Sequence, residues 1–139
     1  MLNLFSILDT KESRFVFMKG LIRIAKADGI IAQEELVFFD NLGRTMCIDE
    51  YLMNELHDII NSDKICSVEF EKREHKLAFL IESLQLCYID GECSENEKKE
   101  ISKIATELGV SFNTVNEIEK WVIEGMEWSN KVNYLFTLE

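Results

Sequence analysis

The feature that most constrains this chain is a motif that occurs twice. Asp28-Gly29 is followed by Glu35, and Asp90-Gly91 by Glu97, so each glutamate lies seven residues after its aspartate. The motifs lie 62 residues apart, and the same shift pairs other apolar residues: Ile24 with Leu86, Phe39 with Ile101, Leu42 with Ile104, Met46 with Leu108, Ile48 with Val110, Met53 with Val115, Leu56 with Ile118 and Ile60 with Val122. This self-similarity predicts an internal duplication, with repeats at about 13–62 and 75–124 of a single domain over residues 1–139.

Each repeat shows the spacing of amphipathic helices. Apolar residues recur three and four positions apart, as at Phe39, Leu42 and Met46, which is the period of a helix with one buried face. The chain has no proline and only six glycines, too few breakers for the turns of a many-stranded sandwich or barrel. Asp49 and Ser111 precede equivalent apolar runs and are predicted N-caps. We therefore predict an all-α bundle of about seven helices, at residues 12–27, 33–46, 50–61, 68–89, 95–108, 112–125 and 128–136.

Composition limits the partners of such a bundle. With 15 Lys and Arg against 26 Asp and Glu, the net charge is −11, which repels nucleic acid and anionic membranes and favours cations and basic partners. No apolar stretch reaches the roughly 18 to 20 residues that span a bilayer, and the amino terminus has no signal-peptide pattern. We expect a soluble cytoplasmic protein that does not insert into a membrane, either a monomer or a homodimer.

The four cysteines, Cys47, Cys66, Cys87 and Cys93, form no Cys-x-x-Cys pair, and the chain has only two histidines. Structural zinc sites use strictly spaced ligand pairs. The sequence therefore argues against structural zinc and favours reduced thiols, as in a reducing compartment.

The Asp-Gly pairs are predicted to lie where one helix ends and the next begins. A glycine is expected there because positive φ lets the chain leave a helix. Asp28 and Asp90 are harder to explain, since the helix dipole disfavours an anion at a C-terminus by about 0.3 to 1 kcal/mol. Glu97 fits a capping box with Ser94. Glu35 fits less well, because the cap position before it is Ala32, which has no side-chain acceptor.

Two interpretations of these helix corners remain open. We name residues 28–35 the first corner and residues 90–97 the second corner. If the repeats are related by a pseudo-two-fold axis, the corners could pool four carboxylates, which would select Ca²⁺ or Mg²⁺ over Zn²⁺; the candidate metal ligands are Asp28, Glu35, Asp90 and Glu97. Otherwise they are two unrelated corners. An EF-hand is disfavoured, because Ile24 and Leu86 would occupy its first ligand position.

The segments "KADGIIAQEEL" and "IDGECSENEKKEISKIATELGVS" resemble the tellurite-resistance TerB family and the related cytoplasmic-type domain of membrane-anchored DnaJ-like co-chaperones. The resemblance covers roughly residues 15–123. It implies an all-helical duplicated bundle, a metal site formed by Asp28 and Glu35 with Asp90 and Glu97, and a bacterial stress-response role through protein partners, including complexes associated with membranes. The chain departs from the family pattern at Ala32, where a polar cap is common, and at Cys93. No J domain or second module is evident, so we expect the domain standing alone.

Two other function classes compete with this interpretation. The segment "IATELGVSFNTVNEIEKWV" has the spacing of a helix-turn-helix, but its would-be recognition helix carries a single lysine and no arginine to meet phosphate or guanine. A metal-dependent hydrolase could use the four carboxylates. However, the chain lacks an HExxH motif, a phosphate-binding Gly loop and a nucleophile motif, and His75 lies in a charged run predicted to be solvated.

We therefore predict a non-catalytic, TerB-like domain that binds a divalent cation and acts through protein partners. The aromatic C-terminal segment, with Trp121, Trp128, Tyr134 and Phe136, is predicted to close the bundle, because aromatic residues at helical spacing are usually core. If Trp128, Tyr134 and Phe136 are instead exposed together, they become the candidate partner surface.

Overall fold

Helices form all of the regular secondary structure in residues 4–89 and 93–138, the parts of the chain that the computed structural model describes. They are α1 (Leu4–Ile7), α2 (Lys11–Lys26), α3 (Gln33–Thr45), α4 (Glu50–Ile60), α5 (Arg73–Tyr88), α6 (Glu95–Glu107) and α7 (Phe112–Leu135). Within these ranges there is no strand, and the helices pack around one core. The predicted all-α class is confirmed.

The helix boundaries differ from the prediction in three places. A four-residue helix, α1, lies ahead of the first predicted helix. Helix α5 begins at Arg73 rather than at residue 68, and Val68 lies in a non-helical segment with its side chain buried in the core. The last two predicted helices are one continuous helix, α7, because the glycine at 125 costs a helix about 1 kcal/mol but does not end it.

Helices α2 and α5 supply much of the core. Phe17 of α2 and Phe79 of α5 are fully buried, and their rings meet edge to face with centroids 6.0 Å apart. Gly20 lies on the same face of α2, and a β-carbon at this position would overlap the Phe79 ring. The glycine therefore lets the two helices approach closely. Other large core side chains are Met18, Ile22, Leu80, Leu84, Ile101 and Ile104.

The helix bounds follow the 62-residue shift of the sequence. Adding 62 to the bounds of α2 gives those of α5, the same shift converts α3 into α6, and it carries the first residue of α4 to the first residue of α7. The turn after α3 matches the turn after α6. Cys47 has a φ of 57° and Gly109 a φ of 73°, and the next residue in each turn, Ile48 or Val110, donates its N–H to a helix carbonyl at 2.9 Å. Both helices thus end in a Schellman-type turn.

Arg23 of α2 ties the first half of the chain to the second. Its Nε donates to Glu100 at 2.7 Å, one terminal nitrogen donates to Glu107 at 2.6 Å, and the other donates to the carbonyl of Cys66 at 3.0 Å. The Arg23 side chain is only 8% exposed. Hydrogen bonding to Glu107 raises the pKa of the guanidinium despite its burial. This network holds α6 and the segment before α5 against the last turns of α2.

Among the described residues, no helix combines the length and the apolar character that a passage through a lipid bilayer requires.

Candidate functional site

Asp28 in the first corner contacts the second corner. Gly29, with a φ of 111°, turns the chain out of α2. The Ser94 hydroxyl, at the N-cap of α6, lies 3.1 Å and 2.9 Å from the two carboxylate oxygens of Asp28 and donates to them. Asp28 therefore lies beside the N-terminus of α6, where the helix dipole favours an anion. This contact offsets the unfavourable position of the carboxylate at the end of its own helix.

Both corner glutamates cap the helix on which they lie. Glu97 accepts a hydrogen bond from the Ser94 N–H at 3.2 Å, and the Ser94 hydroxyl accepts one from the Glu97 N–H at 3.1 Å, so the predicted capping box is confirmed. Glu35 accepts a hydrogen bond from the Ala32 N–H at 3.0 Å. Alanine removes only the side-chain half of the capping box, and the carboxylate half forms in both corners.

Glu35 and Glu97 line one pocket between the two corners. The pocket has a volume of about 350 Å³ and is otherwise mainly apolar. Its lining also includes Glu34, Phe38, Phe39, Leu86, Cys87 and Ile89. Two glutamates that the 62-residue shift pairs therefore line the same space.

The structure describes three of the four predicted metal ligands. Asp90 lies outside the described residues. Asp28 bonds to Ser94, and Glu35 and Glu97 share the pocket. Within the described residues, neither Asp28 nor Glu35 belongs to a group of three potential ligand atoms that lie within 4.8 Å of one another. The assignment of all four residues to one metal site therefore stays a prediction.

Glu97 belongs to a different close group, with Cys87 and Cys93. The two sulfurs and one carboxylate oxygen lie within 4.8 Å of one another, and within the described residues no other His, Cys, Asp or Glu side chains form such a group of three. Cys87 and Cys93 are joined by a disulfide, with α-carbons 4.9 Å apart, while Cys47 and Cys66 are free. The prediction that all four cysteines are reduced thiols is wrong for this pair.

The sequence contained a signal for the cysteine pair that the Cys-x-x-Cys criterion missed. The 62-residue shift places Ala25 opposite Cys87 and Ile31 opposite Cys93. Ile31 is buried in the core and Ala25 packs against that core. The available signal was instead that Cys87 and Cys93 lie six residues apart on either side of the predicted helix corner, because a sharp turn can bring such residues within the reach of a disulfide.

His75 was expected to be solvated, and this prediction is wrong. Its side chain is only 6% exposed, and its Nε2 lies 3.3 Å from an Asp9 carboxylate oxygen, without hydrogen-bond geometry. The ring packs edge-on against Phe70. His75 is buried although it belongs to a charged run, because only one face of the first turn of α5 meets solvent. Its neighbours Glu74 and Arg73 are exposed.

Glu82 is a buried carboxyl that the sequence patterns did not single out. Its residue exposure is 9%, and within the described residues its Oε2 has no hydrogen-bond partner. Burial raises the pKa of this carboxyl. Glu82 lines a second pocket, of about 340 Å³, between α5 and the middle of α7, together with Trp121, Val122 and Met126. Apolar residues flank Glu82 at helical spacing, at Leu80, Ile81 and Leu84, and this apolar context was the available signal.

Comparison of the chain with protein-family models, with curated proteins and with solved structures finds no match. The resemblance to the TerB family therefore stays a prediction. The contacts of the corners and the exposed surface of α7 are the features that bear on function.

Proposed function

We propose that this chain is a non-catalytic, TerB-like stress-response domain that binds a hard divalent cation between its two acidic corners and acts through a protein partner. The observation that carries the proposal is the hydrogen bond between Asp28 and Ser94, because it joins the first corner to the second. Corners that meet can share a ligand, whereas two separate helix ends cannot.

The 62-residue shift supports this arrangement. The shift that aligns the two sequence motifs also aligns the bounds of α2 with those of α5 and the bounds of α3 with those of α6. A duplicated unit that packs against itself brings equivalent loops together. Glu35 and Glu97, which line one pocket, are equivalent in this sense.

The carboxylates of the corners suit a hard cation. Glu35 and Glu97 each use one oxygen, Oε1, for capping, so a second oxygen on each is available to an ion. Asp28 presents both of its oxygens to a hydroxyl, which can reorient when a cation binds. Oxygen ligands of this type favour Ca²⁺ and Mg²⁺.

Ca²⁺ or Mg²⁺ is expected to raise the thermal stability of the protein. At ten times its dissociation constant the ion adds about 1.4 kcal/mol to the free energy of unfolding. The double variant Asp28→Ala plus Asp90→Ala is expected to lose this gain. The measurement is thermal unfolding followed by circular dichroism, in chelator and in increasing concentrations of each ion.

A matched control separates a specific site from the general acidity of the chain. Glu50 and Glu124 are exposed carboxylates outside the corners, and Glu50→Gln plus Glu124→Gln removes the same amount of negative charge. This control is expected to keep the full response to the ion. Equal loss of the response in both double variants, or no response in the wild type, would contradict a cation site at the corners.

The far half of α7 is the candidate partner surface. Trp128 is 71% exposed, Tyr134 63% and Phe136 84%, so the prediction that these residues close the bundle is wrong. Trp128, Val132 and Leu135 recur at intervals of four and three residues, which places them on one face of the helix. Tyr134 is exposed on another side of the same last turns, and Phe136 directly follows the helix. We name the exposed apolar residues Trp128, Val132, Tyr134, Leu135 and Phe136 the distal α7 surface.

The occupant of the distal α7 surface is a different protein that carries basic residues around an apolar patch. An apolar patch of this kind marks an interaction site. The net charge of −11 opposes the approach of a second copy and attracts a positively charged partner.

DNA binding and hydrolysis are less well supported by the contacts. Val115 and Ile118, the apolar anchors of the helix-turn-helix pattern, pack against the core of the bundle. The exposed residues between them, Asn116 and Glu117, offer phosphate no positive charge. His57 bonds to Asp40 at 2.8 Å and is exposed on the surface. It lines neither the pocket between the two corners nor the pocket between α5 and α7.

A photo-crosslinking amino acid at Tyr134 is expected to give one discrete adduct with a basic protein in the native host cell. The same group at Phe112, an exposed aromatic residue at the other end of α7, is the matched control and is expected to give none. Combining Trp128→Ser with the crosslinker at Tyr134 is expected to abolish the adduct. An adduct between two copies of this chain, or equal adducts from both positions, would contradict the assigned occupant.

A further inference from the structure

The cluster of Cys87, Cys93 and Glu97 has the composition of a thiolate metal site. Cys87 lies in the last turn of α5, Cys93 directly precedes the N-cap of α6, and Glu97 lies in the first turn of α6. Their two sulfur atoms and one carboxylate oxygen lie within 4.8 Å of one another. Two helix ends therefore hold three potential ligands around one point.

We propose that Cys87, Cys93 and Glu97 form a redox-gated zinc site, which is closed as a disulfide when it is oxidised and binds Zn²⁺ through all three residues when it is reduced. This site does not depend on the hard-cation site proposed above, although Glu97 belongs to both.

The geometry suits tetrahedral zinc. Zinc binds thiolate sulfur at about 2.3 Å and carboxylate oxygen at about 2.0 to 2.2 Å, so two sulfur ligands of one ion lie roughly 3.8 Å apart at a tetrahedral angle. Breaking the disulfide lets the sulfurs separate to that distance with little movement of the helix ends. Three protein ligands leave the fourth position to water. Thiolates select zinc over Ca²⁺ and Mg²⁺.

The disulfide and the zinc complex exclude each other, because zinc binds the two sulfurs as thiolates and a disulfide contains no thiolate. Two molecules of a low-molecular-weight thiol reduce the Cys87–Cys93 bond, giving two protein thiols and one small-molecule disulfide. Zn²⁺ then displaces one proton from each thiol as the two metal–sulfur bonds form. The Glu97 carboxylate binds without losing a proton. Zinc affinity is therefore gated by the thiol redox state.

The surroundings of the cluster favour this role. The N–H of Ser94 donates to Oε1 of Glu97, which orients the carboxylate in the way that outer hydrogen bonds orient metal ligands. Cys93 is only 6% exposed, whereas Cys87 is half-buried, so an ion or a reductant reaches the pair from the Cys87 side.

The first corner lacks this site and serves as a reference within the same molecule. Ala25 and Ile31 occupy the positions equivalent to Cys87 and Cys93, while Glu35 matches Glu97. The two corners thus share the carboxylate and differ in the thiols. Glu35→Gln is consequently the matched control for Glu97→Gln.

The test uses Co²⁺ as a spectroscopic substitute for Zn²⁺. The chain is reduced with a phosphine that is then removed without air, or is left oxidised, and each form is titrated with Co²⁺. We expect the reduced form to develop a sulfur-to-cobalt charge-transfer band that saturates at one ion per chain and disappears when Zn²⁺ is added. We expect no such band from the oxidised form. Binding of Co²⁺ to carboxylates alone gives no charge-transfer band, so a failed hard-cation site and a failed thiolate site have different signatures.

Variants locate the ligands. Cys87→Ser is expected to abolish the band, while Cys47→Ser plus Cys66→Ser, which removes the two free cysteines, is expected to keep it. Glu97→Gln is expected to weaken Co²⁺ binding about tenfold or more, and Glu35→Gln to leave it unchanged. The absence of a band in the reduced wild type, which needs no variant to fold, would overturn the proposal. Loss of the band in the Cys47 and Cys66 double variant would also overturn it.

Discussion

Replacing Arg23 with methionine is expected to lower the free energy of unfolding by about 2 to 4 kcal/mol. The Arg23 side chain is 8% exposed, and that of its partner Glu100 is 16% exposed. Removing one member of a buried ion pair costs about 3 to 5 kcal/mol, because the other charge stays buried without compensation. The lower end of the range applies here because Glu107, the other carboxylate partner, is 42% exposed and is compensated by water. Urea unfolding at pH 7 measures the difference.

Arg44→Met is the matched control for this experiment. Arg44 is exposed on α3, and its side chain bonds to Asn41 in the preceding turn. The same substitution there is expected to change stability by less than about 0.5 kcal/mol. Similar losses from both variants would show that the Arg23 network is not what joins α2 to α6.

The network also has a pH signature. Hydrogen bonding to Arg23 lowers the pKa of the Glu107 carboxyl in the folded protein. The stability that this pair contributes is present above the unfolded-state pKa and is lost as the pH falls through the folded-state pKa. Arg23→Met removes the pKa shift of Glu107. The difference in the free energy of unfolding between wild type and variant is therefore expected to become smaller at acid pH. The effect of Glu107 on stability is small because its side chain is 42% exposed, so that solvent screens the pair.

The repeat and the helical period predicted more of the fold than of the site. Positions that are apolar in both copies, such as Phe39 with Ile101, became buried helix faces, because burial of one face is what the period encodes. The start of α6 was predictable from its capping box, in which Glu97 reaches back to the N–H three residues before it. Glu35 makes the same bond at the start of α3, although the capping pattern with Ala32 fitted less well. Local hydrogen bonds of this kind are set by spacing in the sequence.

Contacts between distant residues were not predictable in the same way. Arg23 pairs with carboxylates 77 and 84 residues away, and nothing in its own segment distinguishes it from an exposed arginine. The sequence predicted two helices where the structure has the single helix α7. It also predicted that the second of them packs on the core, because helical spacing does not show whether a helix face reaches the core. Val122 is buried, but Trp128 extends beyond the bundle. Packing of whole helices decides such cases.

Replacing Glu82 with leucine is expected to stabilise the protein by about 2 kcal/mol at pH 8. Burying a polar group without a hydrogen bond costs about 1 to 3 kcal/mol, and more when it is charged. Oε2 of Glu82 is buried without a partner in the described residues, and the pocket beside it is mainly apolar. Leucine has a similar volume and no group to desolvate, so it removes the penalty and adds apolar contacts with α7.

The stabilisation is expected to depend on pH in a defined direction. Because burial raises the pKa of Glu82 in the folded state, the folded protein holds a proton that the unfolded chain has already released at intermediate pH. The contribution of Glu82 to the stability of the wild type therefore falls as the pH rises from the ordinary glutamate pKa of about 4.3 to the raised value. The gain in the free energy of unfolding from Glu82→Leu is expected to grow over that pH window and to be smallest below it. None of the other described residues that line the pocket carries an ionisable side chain.

Two further variants separate charge from polarity at this position. Glu82→Gln keeps a polar group of the same shape, so its gain in stability is expected to be smaller than that of leucine, to develop over the same pH window and to persist above it. Gln85→Leu, at a half-buried position in the same pocket, tests whether any added apolar surface there is stabilising, and its effect is expected to be independent of pH. Destabilisation by Glu82→Leu at pH 8 would instead show that the carboxylate has a partner outside the described residues. In that case the charge of Glu82 is part of what holds α5 in place.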